Sequence, residues 1–265
     1  MIKAIFFDID GTLISFQTHT MAESTKLALQ KLRQEGIKLF ISTGRAPSNT
    51  AFIKELFDFD GYVTMNGQYC FCGDELIYEK SFSREDISAF VNLAKTTPYS
   101  YCFVEPAETY IDKVTKPYTD ICKLVNLPIP PVKNLSYVQG RKIYQLVVSI
   151  PQGKEYQITD KVPNALTTRW HPSFVDVIPR DGGKDKGIDA MIQHFHIKRE
   201  EIMAFGDGEN DISMLRFAGI GVAMKNAETI VQEQADYVTS SVDDNGIYNA
   251  LLHYSIIDDI SHPLK

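Results

Sequence analysis

The 265-residue chain has no apolar run approaching the ~18 residues of a membrane-spanning helix. Its N-terminus also lacks the basic region, apolar stretch and cleavage site of a secretory signal. These absences lead to the expectation of a cytoplasmic protein with no membrane partner. Blocks of Lys and Arg are missing too, and the net charge is −7 with a pI near 5.4. Nucleic acid is therefore not the expected partner, although a locally positive site for a small anion remains compatible. Only four cysteines occur, and none forms C-x-x-C. Cys70 and Cys72 stand as C-x-C with no second Cys/His pair at ligand spacing, so they read as small apolar residues of a reducing compartment. There is one tryptophan, no internal repeat and no low-complexity stretch. With 44% hydrophobic and 23% charged residues, the composition is that of a soluble globular protein of one large or two smaller domains.

The first third alternates strand and helix. Ala4 to Phe7 is continuously apolar, as in a strand covered on both faces. Thr25, Ala28, Leu29 and Leu32 recur at helical spacing, and Gly36 closes that helix. Ile37 to Ile41 reads as a second strand, a helix passes through Ile53 and Leu56, and Tyr62 to Met65 reads as a third strand. Beyond Asn66-Gly67 the spacing predicts a hairpin around Gly73-Asp74, then a helix capped by Ser83 with Ile87, Phe90, Val91 and Ala94 on its face. Strand-like runs "YCFV", "YQLVVSI", "ALTTRW" and "FVDVI" follow, separated by polar and proline-rich connections. The α/β alternation resumes near Lys186. The fold class expected is α/β, a Rossmann-like parallel-sheet core (residues 1–81 and 184–265) interrupted by an inserted α+β domain (residues 82–183). The insert's aromatics, Tyr101, Phe103, Tyr110, Tyr118 and Trp170, are expected to form its own core.

Four polar stretches follow strands or begin helices: "DIDGT" after strand one, "STGR" after strand two, "GGKDKG" before a helix, and "GDGENDISML" after a later strand. In open parallel sheets such segments converge at the carboxyl ends of the strands. Asp8 and Asp10 would repel each other there unless a cation meets them. Together with Asp207 or Asp211 they form an oxygen-rich, thiol-free environment suited to Mg²⁺, with Lys186 or Lys184 adding a further positive charge. A phosphate dianion is the natural guest, with Thr43 donating a hydroxyl and Gly44 its backbone N–H. Phosphoryl transfer could proceed through water or through an aspartyl-phosphate on Asp8. The doublet favours the second route, with Asp10 protonating the leaving oxygen. Arg45 could touch substrate or form a surface ion pair, and His171, His194 and His196 read as structural.

As a set, in order and spacing, "DIDGT", "STGR", "GKDKG" and "GDGENDISML" resemble the four motifs of the haloacid dehalogenase-like phosphatases. The stretch "GVAMKNAETIVQEQADYVT" resembles their Cof-type branch, which carries a large inserted cap of the C2 kind. The resemblance implies that Asp8 is nucleophile and Mg²⁺ ligand. It further implies that Asp10 is general acid/base and ligates the metal through its carbonyl. Phosphate would be held by the backbone N–H of Ile9 and by Thr43, Gly44, Lys186 and Asn210, and Asp207 and Asp211 would complete the metal site. Lys186, the lysine before Gly187, fits the family's G-x-x-K-G pattern. The implied activity is a Mg²⁺-dependent phosphatase for a small phosphorylated metabolite. A sugar phosphomutase and a non-catalytic phosphosugar sensor are the alternatives.

Overall fold

The computed structural model describes residues 1–259. Five strands come first: β1 (Ala4–Phe7), β2 (Lys38–Ser42), β3 (Gly61–Thr64), β4 (Tyr69–Cys72) and β5 (Glu75–Glu79). A second group follows: β6 (Tyr101–Val104), β7 (Thr109–Ile111), β8 (Gln145–Val148), β9 (Ala165–His171) and β10 (Phe174–Pro179). The chain closes with β11 (Ile202–Gly206), β12 (Ile220–Ala223) and β13 (Tyr237–Val238). The first and third groups form one sheet in the order β13-β12-β11-β1-β2-β3-β4-β5, and the second forms a separate sheet, β7-β6-β8-β10-β9. In the large sheet all pairings from β13 to β3 are parallel, and the hairpin β4-β5 adds antiparallel strands at one edge.

The apolar run of β1 is explained by layers on both sides. Ile5 and Phe7 pack with Leu29 and Leu32 of the helix Glu23–Gln34 and with Ile247 and Leu251 of the helix Gly246–His253. Ala4 and Phe6 point the other way, to Ile188 and Met191 of the helix Lys184–His194 and to Met214 and Leu215 of the helix Ile212–Phe217. Alternation along a strand requires this division. Burial of Thr25, Ala28, Leu29 and Leu32 matches the helical spacing read from the sequence. Ser83 caps the helix Arg84–Thr96 in a capping box with Asp86.

The smaller sheet packs that helix on one face, through Tyr101, Phe103 and Tyr110 among others. Its other face meets the helix Lys116–Leu124, which the sequence reading missed. Pro117 stands in its first turn, where a missing N–H costs nothing, and Tyr118, Ile121 and Cys122 form its buried stripe. Tyr118 thus belongs to a cluster facing the large sheet, joined by Ala46 and Met65, and not to the smaller sheet's far-side core. The side chain of Trp170 lies outside the described residues.

β1 is flanked by β11 on one side and β2 on the other, with Phe7 opposite both Ile41 and Phe205. The residues that leave these three strands, Asp8, Thr43 and Asp207, therefore emerge side by side at the point where strand order reverses. The loop after β3 joins them because Gly67 (φ +89°) lies against Gly183, where a Cβ would come within 2.0 Å of the Gly183 carbonyl oxygen. Gly73, in the β4-β5 hairpin, also has positive φ but faces open space. Gly73→Ala should therefore cost about 1 kcal/mol, the price of left-handed backbone alone. Gly67→Ala should cost clearly more in chemical denaturation. Equal losses would show that the Gly67–Gly183 approach is unimportant.

Candidate active site

The site is built around a buried lysine. Lys184 opens the helix Lys184–His194 with its side chain fully enclosed, and its three ammonium donors are all used. Nζ donates to Asp8 Oδ1 at 2.6 Å, to the Ser42 carbonyl at 2.8 Å and to Asp211 Oδ1. Asp211 Oδ2 accepts the backbone N–H groups of Asp207 and Gly208, each at 2.9 Å. Asp211 thus spends both oxygens on the lysine and on shaping the turn after β11. Asp207 accepts from Thr12 Oγ1 at 2.8 Å and from Asn226 Nδ2 at 3.2 Å.

The sequence reading placed Lys186 in this role, and the structure corrects it. Lys186 is exposed and pairs with its neighbour Asp185 at 3.3 Å. The reason is helical geometry: two residues on, a side chain has turned about 200° around the axis. Lys184 shares the inward face with Gly187, Ile188 and Met191, and Lys186 does not.

Asp10 sits apart from the lysine. Arg45 grips it with two bonds of 2.7 Å, Nε to Oδ2 and Nη2 to Oδ1. The same Nη2 reaches the Val125 carbonyl of the inserted segment at 3.1 Å, and the guanidinium lies 4.9 Å from the Phe52 ring centre. Arg45 is therefore a half-buried bidentate partner of Asp10. Ile9 is buried in the core, and its carbonyl collects the N–H groups of Leu13 and Ile14. Thr43 Oγ1 accepts the Arg45 N–H at 3.1 Å.

Asn66 joins the two sheets. Its φ of +53° directs the amide so that Nδ2 donates to Gln145 Oε1 at 2.9 Å and to Asp176 Oδ2 at 2.8 Å. Asn210 Nδ2 donates to Asn66 Oδ1 at 3.0 Å. Gln145 and Asp176 belong to the smaller sheet, and alternation along "YQLVV" and "FVDVI" was the signal for them. Asn226, next to the Lys225 of "AMKNA", also reaches inward, to the Gly11 carbonyl at 2.9 Å. A cavity of about 600 Å³ lies between the sheets, with Asp8, Asp10, Thr43, Gly44, Asp207 and Asn210 at one end. Of the predicted site residues these six line it, whereas Ile9, Asp211 and Lys186 do not.

The electrostatics leave a deficit of positive charge. Asp8, Asp207 and Asp211 each bring an oxygen within 4.8 Å of the others, and the Lys184 ammonium offsets one of those three charges. Burial is the main cause that pushes Asp8 up to about 7, with Asp211 and Asp10 adding repulsion and Lys184 opposing it. Burial, then Asp8 and Asp211, also raises Asp207 well above the ordinary carboxylate range. Burial would discharge Lys184, but Asp211 and Asp8 override it and hold the ammonium charged. An all-oxygen donor set carrying surplus negative charge fits a hard divalent cation.

The comparisons with known proteins agree with this geometry. A family model for haloacid dehalogenase-like hydrolases matches residues 5–251. The chain is 30% identical over 258 residues to "Putative phosphatase YkrA" of Bacillus subtilis (strain 168), covering 96% of this chain and 98% of that one. It superposes on the HAD subclass IIB sugar phosphatase BT4131 with a TM-score of 0.91 and 39% identity, over 96% of this chain and 100% of the other. With the phosphatase BT1666 from Bacteroides thetaiotaomicron the TM-score is 0.89 and the identity 36%, over 97% and 96%. The chain belongs to the haloacid dehalogenase-like hydrolases. Within that family it is an enzyme of the phosphatase branch.

Two outcomes follow from the charge arrangement. Lys184→Met should destabilise the cation-free protein by about 3–5 kcal/mol, because it strands buried carboxylates. Lys186→Met should change stability by no more than about 0.5 kcal/mol. Urea unfolding of both variants checks this, and similar losses would return Lys186 to the site. The raised carboxyls mean that folding takes up protons here, so their contribution is present in acid and lost as pH rises through about 7 for Asp8. A divalent cation bound among these carboxylates would replace those protons. Mg²⁺ at a fixed concentration, about 100 times its Kd at pH 8, should therefore raise Tm by roughly 5 °C at pH 8 and by little at pH 5. Equal shifts at the two pH values would place cation binding elsewhere.

Proposed function

We propose that the protein is a Mg²⁺-dependent phosphatase for small phosphorylated metabolites that carries the phosphoryl group transiently on Asp8. The observation that supports this most is the placement of Asp8. It is held by Lys184 through one oxygen at the end of the central strand, and it faces the cavity beside Asp207. Asp8 and Asp207, with the Asp10 carbonyl, are the groups that would hold Mg²⁺. Asp211 acts from behind by fixing Lys184 and the Asp207-Gly208 amides. The ion would supply charge neutralisation for the phosphoryl oxygens.

Each step balances on this chain's own residues. An oxygen of Asp8 bonds to phosphorus as the ester P–O bond breaks, and the departing oxygen takes a proton from Asp10 to leave as an alcohol. Water then attacks phosphorus, Asp10 recovers a proton from it, and the bond to Asp8 breaks to release inorganic phosphate. Thr43, Gly44, Asn210 and the Ile9 N–H are assigned to the phosphoryl oxygens. For Asp10 to serve the ester oxygen, at least one of its two bonds to Arg45 must be exchanged for the substrate. Closing the inserted domain over the core excludes bulk water from these steps.

Phosphate release from a panel of phosphorylated metabolites should require Mg²⁺ and stop with EDTA. It should fall ~10²–10⁴-fold in Asp10→Asn and be lost in Asp8→Asn. Mass spectrometry of the protein quenched during turnover should show a phosphoryl adduct that Asp8→Asn lacks. Turnover that survives in Asp8→Asn would refute the covalent route.

A further inference from the structure

A side-chain amide has two ends of opposite polarity, an oxygen that accepts and an NH₂ that donates twice. Which end points where is decided by the partners around it. Three such amides form a row across the junction of the two sheets: Gln145 on β8, Asn66 after β3 and Asn210 after β11. The row starts from a backbone carbonyl, which can only accept. Gln145 Nε2 donates to the Gly44 carbonyl at 3.1 Å, so Gln145 turns Oε1 to Asn66. Asn66 must answer that oxygen with a donor, and Nδ2 does so at 2.9 Å. Its second N–H meets another acceptor, Asp176 Oδ2, at 2.8 Å. Two acceptors on the smaller sheet thus hold the NH₂ of Asn66 toward themselves.

The consequence passes to the core. With Nδ2 committed, Asn66 presents Oδ1 to Asn210, which meets it with its own Nδ2 at 3.0 Å. Asn210 lines the cavity, and its NH₂ carries a second N–H. Reversed, the same amide would offer a phosphoryl group an oxygen, and two acceptors repel. The backbone fixes Asn66 as firmly as the side chain does. It is 1% exposed, its N–H donates to the Thr43 carbonyl at 3.0 Å, and its carbonyl accepts from Gln68 Nε2 at 3.1 Å. Its φ of +53° is left-handed backbone, which costs free energy in any residue but glycine. Every polar atom of this buried residue is hydrogen-bonded, and that set of bonds keeps the conformation.

We infer that Asn66 is a positioning residue for phosphate binding. It transmits the polarity set by the Gly44 carbonyl, Gln145 and Asp176 to Asn210, so that Asn210 offers an N–H to the phosphoryl group. Gln145 and Asp176 of the smaller sheet therefore take part in holding phosphate through Asn66. This role rests on the phosphatase reading, which places the phosphoryl group beside Asn210.

Calorimetric titration of the full-length protein with inorganic phosphate, in the presence of Mg²⁺, tests it as a double-mutant cycle. Asn66→Gly removes the relay, and glycine adopts a φ of +53° without steric cost. Asn210→Ala removes the donor itself. Asn210→Ala should weaken phosphate binding about tenfold, as for loss of a hydrogen bond to a charged group, and Asn66→Gly nearly as much. In the double variant the losses should not add, and Kd should stay within about threefold of Asn210→Ala. A merely structural Asn66 gives additive losses, and that result overturns the positioning role. Phosphate affinity within twofold of the parent in folded Asn66→Gly overturns it as well. A second measurement needs no Asn66 variant: the side-chain NH₂ resonance of Asn210, assigned by its loss in Asn210→Ala, should shift when phosphate is added to the parent. An unmoved resonance at saturating phosphate rejects the role. Phosphate release from esters by the wild-type protein is the separate readout. Release with additive losses sinks only the positioning role, and non-additive losses without release sink only the phosphatase reading.

Discussion

The ammonium of Lys184, enclosed between Asp8 and Asp211, is the contact on which the rest of the site depends. Three carboxylates in a poorly hydrated sheet edge would otherwise protonate or push apart. One lysine holds the cluster, yet it leaves charge enough for a divalent ion to complete. Its third bond, to the Ser42 carbonyl, ties the same point to β2. Segments from both halves of the large sheet therefore meet on one side chain, placed where the chain returns from the insertion.

A second set of polar contacts joins the insertion to that edge. Asn66 links Asn210 of the core to Gln145 and Asp176 of the smaller sheet, and Arg45 links Asp10 to the Val125 carbonyl. These bonds lie beside the cavity and fix how the smaller sheet stands over the strand ends of the large one. The apolar cluster of Ala46, Met65, Cys102 and Tyr118 supplies the non-directional part of the same junction.

Much of the fold was legible because its determinants are local. The apolar run of β1, the periodic face of Glu23–Gln34 and the Ser83 cap needed only neighbouring residues to be read. The helix Lys116–Leu124 was missed because proline-rich flanks masked a stripe of only three buried residues. Arg45 was ambiguous in sequence because its partners, Asp10 and Val125, are 35 and 80 residues away.

The sequence by itself pointed to phosphoryl-transfer chemistry, because three of the four polar stretches directly follow strands, the fourth opens a helix, and the sheet order brings these ends together. It also determined the buried faces of the helices Glu23–Gln34 and Arg84–Thr96, because side-chain period follows from backbone geometry. Only the tertiary structure decided which lysine neutralises Asp8, that Asp211 bonds both Lys184 and the Asp207-Gly208 amides, and that Asp176 and Thr109 line the cavity. Those assignments depend on how separate helices and sheets are oriented against one another. Packing across the whole chain sets that orientation, and no single stretch of residues contains it.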